Sequence, residues 1–289
     1  MFTGSAVALV TPFKNGKFDE DACAKLIEFH ISKGTDVIVP CGTTGESATL
    51  EHEEQGNIVK FVCNVVNKRI KVLAGAGSNS THEALKLTKI AYEAGADGAL
   101  SITPYYNKPT QAGLYLHFKA IASVVKDFPI VLYNVPGRTG VCIAPETVAE
   151  LFKIDNIVAI KEASGNLEQV SNIIELCDIC IISGDDSLTL PMMVLGAKGV
   201  ISVAANVVPA ELKAMITAFN NGDLDTARDL HFKLFPIFKN MFIETNPIPA
   251  KTVLSWMGMV KREFRLPLCD LKPENEKKLR KVVTDFGLI

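Results

Sequence analysis

Ile157-Val-Ala-Ile-Lys161, followed at once by Glu162-Ala-Ser-Gly165, reads as a buried strand that ends on a charge. The run is near-continuously apolar and rich in β-branched residues, with no alternation of period two. Both of its faces are therefore covered, as in a parallel strand with helices packed on the sheet. Runs of the same kind recur at Ala6–Val10, Asp36–Pro40, Lys71–Ala74, Gly98–Thr103, Ile130–Asn134, Ile179–Ser183 and Val200–Val203. With Ile157–Lys161 they make eight predicted strands.

The segments between them carry helix punctuation. Ser80-Thr-His-Glu83 has the spacing of a capping box ahead of Ala84–Ala94, and Gly95 supplies the stop. Pro145 suits the first turn of a helix through Phe152, and Asn166 suits the N-cap of one running to Leu176. Eight βα units within residues 1–222 match the repeat number of a (β/α)8 TIM barrel, whose usual length is about 250 residues. A doubly wound open sheet is the alternative that strand counting leaves standing. Residues 223–289 show helical spacing and no strand, so they are expected to form a C-terminal helical appendage packed on the catalytic barrel, with Pro236 kinking its first helix.

The chain has 289 residues, 48% hydrophobic and 21% charged, with a formal net charge of -2. That balance offers no basic footprint for nucleic acid and no polybasic patch for a membrane. No apolar run approaches the roughly 20 residues of a membrane span. The opening Met1-Phe-Thr-Gly-Ser lacks the basic and apolar segments of a secretory signal, and seven cysteines are an odd number for a disulfide framework. The expected compartment is the cytoplasm.

In a barrel the C-terminal ends of all strands converge on one mouth. Lys161 closes such a strand. Burying an ammonium is costly and favours the neutral amine, the form that attacks a carbonyl. A lysine that snorkels to solvent is the ordinary alternative. Gly42-Thr43-Thr44-Gly45-Glu46 follows the second strand, and its backbone N–H groups and threonine hydroxyls suit a carboxylate. It is no phosphate-binding Walker loop, because Glu46 stands where that motif needs lysine. Tyr133 ends the fifth strand, where a phenol can shuttle a proton, and Arg138 in the loop after it can clamp a carboxylate through paired hydrogen bonds. Tyr105-Tyr106, after the fourth strand, fit either the core or the mouth.

Other signals point elsewhere. Gly184-Asp185-Asp186 offers two carboxylates but no further ligand at metal spacing, so a helix N-cap is the better reading. Cys177-Asp-Ile-Cys180 precedes a strand instead of opening a helix, and no second pair completes a zinc site. Gly75-Ala-Gly77-Ser-Asn-Ser80 lacks the third glycine of a dinucleotide loop.

Taken together, these residues resemble the pyruvate-dependent class I aldolases, and within them the dihydrodipicolinate synthase family. The resemblance runs nearly end to end. It rests on Gly42-Thr-Thr-Gly-Glu-Ser-Ala-Thr49, Thr103-Pro-Tyr-Tyr-Asn107, Tyr133-Asn-Val-Pro with Arg138-Thr-Gly140, Ile160-Lys-Glu-Ala-Ser-Gly165, Ser183-Gly-Asp-Asp186 and Gly199-Val-Ile-Ser202. It implies that Lys161 forms an imine with pyruvate and that Thr43 and Thr44 hold the pyruvate carboxylate. Tyr133 would relay protons through Thr44 and Tyr106, the last entering the neighbouring subunit's site. Arg138 would bind the carboxylate of L-aspartate 4-semialdehyde, and Gly184 and Ile201 would lie against the imine. No metal or organic cofactor is implied. The implied assembly is a homotetramer, a dimer of dimers.

The same fold hosts N-acetylneuraminate lyase and the 2-keto-3-deoxy-sugar-acid aldolases, and Arg138 is the residue that separates them from the synthase reading. A non-catalytic carboxylate-binding barrel would be expected to lack Lys161 or Tyr133. Regulated members bind lysine at the dimer interface, where Ser47, Ala48, His52, Asn79, Glu83 and Tyr105 match. Gln55 departs, standing where several of them carry a second histidine, so a weakened response to lysine is expected.

Overall fold

The computed structural model describes residues 2–289. Eight parallel strands close into a barrel: β1 (Gly4–Ala8), β2 (Val37–Val39), β3 (Lys71–Gly75), β4 (Gly98–Ile102), β5 (Ile130–Asn134), β6 (Ile157–Glu162), β7 (Cys180–Ser183) and β8 (Gly199–Ser202). Each strand pairs with its sequence neighbours, and β1 closes the ring against β8. The open-sheet alternative is thereby removed, and the fold is a (β/α)8 TIM barrel.

Alternation sorts the strand residues into two cores. Ala6, Val37, Leu73, Leu100, Val131, Ala159, Ile182 and Ile201 fill the barrel interior, with Phe2 among them. The opposite faces pack under the helices α1 (Glu20–Ser32), α2 (His52–Val66), α3 (Thr81–Glu93), α4 (Gln111–Val124), α5 (Pro145–Phe152), α6 (Leu167–Leu176), α7 (Thr189–Val194) and α8 (Pro209–Asn220). This two-sided burial is why the strands read as unbroken apolar runs. The runs overshoot the ladder at the rim. Leu9 and Val10, past the end of β1, are buried in the outer core without extending the strand.

Two helix starts match the sequence reading closely and one does so in part. Asn166 Oδ1 accepts the Glu168 N–H at 2.8 Å, and Pro145 opens α5. The side chain of Ser80 caps α3, but Glu83 does not reach back to complete a capping box. Its carboxylate accepts from Ser78 Oγ at 2.7 Å instead.

After residue 222 come α9 (Leu224–Asn240), α10 (Ile248–Trp256) and α11 (Pro273–Phe286). Pro236 lies inside α9, which continues through it to Asn240. α9 packs on α8 and α11, while α10 lies against the turn that follows β8. A short hairpin, Phe13–Lys14 with Lys17–Phe18, has no counterpart in the sequence reading. Its two-residue strands are too short to show a period.

Candidate active site

Parallel strands in a barrel end at one rim, so the residues closing them share a mouth. The β5–β6 register sets Tyr133 opposite Lys161 and Asn134 opposite Glu162. Alternation turns the first pair into the barrel and the second pair out toward the helices. Lys161 is only 5% exposed, and its Nζ lies 4.2 Å from the centroid of the Tyr133 ring. This lysine does not snorkel to solvent.

Around that amine is a cavity of about 130 Å³. Thr43, Thr44, Tyr133, Arg138, Lys161, Gly184 and Ile201 all line it. Seven of the eight residues singled out from the sequence are thus brought together from six loops and strand ends. The eighth, Tyr106, is not. It stands 90% exposed with φ +74, a left-handed conformation uncommon for an aromatic residue. It lines neither cavity at the mouth of its own barrel.

The loop carrying the two threonines is held from the C-terminal region. Asn246, between α9 and α10, donates from Nδ2 to Thr44 Oγ1 at 2.9 Å. A hydroxyl that accepts there keeps its own proton to donate elsewhere. The Asn246 carbonyl also receives a long contact of 3.5 Å from the Arg138 guanidinium. Behind the loop, Lys251 Nζ meets Glu46 Oε1 at 2.6 Å, and both side chains are fully buried. Asn246 and Lys251 were missed in the sequence. The local signal, Asn246-Pro247, marks a bend and says nothing about what the bend touches.

Gly184 lies so close to Lys161 that a methyl group there would sit 2.9 Å from Lys161 Cε and 2.7 Å from Ala163 Cβ. If Lys161 forms the imine that the resemblance implies, Gly184→Ala should displace its side chain and slow imine formation by about tenfold or more. Borohydride trapping of bound pyruvate over time measures this, with thermal unfolding as the control. A trapping rate equal to the parent's would show that the amine does not need this approach.

The two acids after β7 make local hydrogen bonds, and Asp185 also lines the small cavity. Asp185 caps a short turn by accepting from Ser187 N–H at 3.0 Å, and Asp186 Oδ2 accepts from Ala204 N–H at 2.9 Å. Burial pushes the Asp186 carboxyl up to about 6 against the pull of hydrogen bonds from Ser202 and Ala204. Among the described residues no group of three or more His, Cys, Asp or Glu side chains is placed to hold a metal ion. Cys177 and Cys180 are both free, the second facing the barrel interior.

A second cavity, of about 390 Å³, shares Gly42, Thr43, Tyr133 and Arg138 with the first. Ser47, Ala48, His52, Gln55, Glu83 and Tyr105 line it as well. Asn79 sits beside it, donating to the Tyr105 carbonyl at 3.0 Å. Gln55 is buried, and its amide donates to the Gly75 carbonyl at 2.7 Å.

Comparison with known proteins bears on the family and the fold. A 4-hydroxy-tetrahydrodipicolinate synthase of Syntrophus aciditrophicus is 55% identical across the full length of both chains. The dihydrodipicolinate synthase of Aquifex aeolicus superposes with a TM-score of 0.98 at 53% identity, covering 99% of each chain. The chloride-inhibited dihydrodipicolinate synthase of Acinetobacter baumannii, solved in complex with pyruvate, superposes at 0.97 with 44% identity over 100% of both chains. Residues 1–286 match the dihydrodipicolinate synthetase family, and the chain belongs to that family.

Proposed function

We propose that this protein condenses pyruvate with L-aspartate 4-semialdehyde to 4-hydroxy-tetrahydrodipicolinate, opening the diaminopimelate branch to lysine. The reading is carried by one observation: a buried lysine amine 4.2 Å from a tyrosine ring, in a cavity shared with two threonines and an arginine. The Lys161 amine adds to the pyruvate ketone and, with loss of one water, gives an imine. The iminium nitrogen accepts the electron pair left when a methyl proton departs, forming an enamine. That enamine carbon attacks the aldehyde of the semialdehyde. The amine of the condensed product then attacks the imine carbon, closes the ring and releases Lys161. The net loss is one water.

Thr43 and Thr44 hold the pyruvate carboxylate, and Tyr133 passes protons with Thr44, whose hydroxyl is oriented by Asn246. Gly184 and Ile201 give the imine room and a wall. Tyr106, exposed and set in a left-handed turn, completes the proton path in a neighbouring subunit. The protein is therefore a dimer at least. Exposed apolar side chains on the outer helices, Ile174 on α6 and Val194 on α7 among them, suit pairing of dimers into a homotetramer. No helix among the described residues is long and apolar enough to cross a membrane. The seven free cysteines suit the reducing cytoplasm.

Formation of product from pyruvate and semialdehyde by the purified protein tests the reading directly. Arg138→Ala should lower condensation efficiency by about a hundredfold, the loss expected of a charge-assisted carboxylate clamp, while leaving pyruvate trapping intact. Faster cleavage of N-acetylneuraminate than condensation of semialdehyde would assign the protein to the lyases of this fold instead.

The second cavity bears on control by lysine. Glu83 can pair with an α-ammonium, but Gln55 has already given its amide to the Gly75 carbonyl and cannot reproduce an ionisable ring. Steady-state rates should show inhibition only at millimolar lysine, and Gln55→His should sharpen it. Tight inhibition of the unmodified protein would show that the amide suffices.

A further inference from the structure

Asn134 and Glu162 follow Tyr133 and Lys161 in their strands and take no part in the scheme above. Both are buried on the outer wall of the barrel. Asn134 Nδ2 donates to Glu162 Oε2 at 2.8 Å and lies 3.2 Å from Cys142 Sγ, while Asn134 Oδ1 accepts the Ile143 N–H at 3.1 Å. Glu162 Oε1 accepts the Ser164 N–H at 2.7 Å. One linked set of hydrogen bonds therefore joins β5 to β6, closes the base of the loop from Val135 to Ile143 that carries Arg138, and anchors the turn after Lys161.

Packing alone does not require this pair. One layer below on the same outer face, Leu132 stands opposite Ile160, an apolar couple that fills the equivalent space. Apolar contact is non-directional, whereas an amide against a carboxylate fixes which atoms face each other. The β5–β6 ladder has particular use for direction, because its register shifts between Ile130 and Val131. Its rim end must then be set by what lies above that irregularity. The last rung is Asn134 opposite Glu162.

We propose that Asn134 and Glu162 are positioning residues for the condensation, holding Tyr133 against Lys161 and the Arg138 loop against both. The inference rests on the imine reading of Lys161. Burial pushes the Glu162 carboxyl up, and hydrogen bonds from Ser164 and Asn134 oppose that shift only in part.

Hydrogen-bond polarity supplies the test. Glu162→Gln preserves shape but brings two donors face to face in every amide orientation, at Ser164, at Asn134 or at Ile143. Asn134→Asp alone sets one acceptor against another. The swap, Asn134→Asp with Glu162→Gln, restores the bonds to Ile143 and Ser164 and the bond across the strands, which then runs in reverse, and gives up only the weak contact to Cys142 Sγ. Each single variant should lower kcat by about ten- to a hundredfold with KM for pyruvate within about twofold, because a displacement near one ångström costs roughly that much in rate. The swap should return kcat to within about threefold of the parent. Single variants with parental kcat, or a swap as slow as the singles, would overturn the proposal. If a single variant does not fold, the swap decides alone: parental kcat supports the role, while a slow or unfolded swap refutes it. Pyruvate trapping on the parent's Lys161 is measured beforehand. A parent that traps nothing removes the imine reading and this inference with it, whereas a parent that condenses normally beside equally active variants removes only the positioning role.

Discussion

Pyruvate and borohydride together should attach a reduced three-carbon unit to Lys161 and to no other lysine, and Lys161→Ala should take up none. The geometry makes the expectation specific. Of the lysines, Lys161 alone lines the small cavity at the mouth. The other fully buried lysine, Lys251, is tied to Glu46 at 2.6 Å and lines neither cavity at the mouth. Losing the covalent nucleophile removes the electron sink for the enamine, which no neighbouring group replaces. Condensation should fall by about a thousandfold or more. Peptide mass analysis locates the adduct, and steady-state rates measure the loss. An adduct on a different lysine, or a Lys161→Ala variant that still condenses at a tenth of the parental rate, would remove the mechanism.

The sequence carried this site further than it carried the site's supports. A strand buried on both faces has to be apolar throughout, so Ile157–Lys161 and its seven counterparts stood out, and barrel closure then implied that their ends meet. Strand-end residues such as Tyr133, Lys161 and Gly184 were visible for that reason. Asn246 was not visible, because its place beside Thr44 depends on how a helical segment two hundred residues later folds back over the rim. The outward direction of Asn134 and Glu162 is implied by alternation, but their mutual hydrogen bond depends on the β5–β6 register, which sequence does not print. Tyr106 shows a different limit. Tyr105-Tyr106 suited core and mouth alike, and Tyr106 lies exposed, where only the pairing of subunits proposed above would give it a part in the site.

Lys251 was the hardest residue to read, since a helical segment with apolar spacing gives no sign that its lysine is buried, and its replacement should have the largest effect on stability. The ion pair with Glu46 is fully enclosed, with Lys251 Nζ 4.3 Å from the Phe13 ring centroid and Glu46 Oε2 accepting the Arg265 N–H at 3.2 Å. Burial pushes the Lys251 ammonium down, and Glu46 opposes that shift by charge and by hydrogen bonding. Removing one partner strands the other charge in the interior, so Lys251→Met should destabilise the protein by about 3–5 kcal/mol. A buried pair replaced as a whole behaves differently, because both desolvation penalties vanish together. Adding Glu46→Gln to Lys251→Met should therefore recover a good part of the loss, leaving about 1–2 kcal/mol for the unmade hydrogen bonds. Urea unfolding of the parent, the single variant and the double variant at one protein concentration measures both effects. A cost below about 1 kcal/mol for Lys251→Met would mean that water reaches Glu46 and that the pair is not sealed. The activity of the double variant then tests what the pair does for the site. Glu46 sits in a left-handed conformation, φ +57, directly after the loop that presents Thr43 and Thr44. If the ion pair holds that conformation, the stable double variant should bind pyruvate more weakly than the parent, and if packing alone holds it, pyruvate affinity should return with stability.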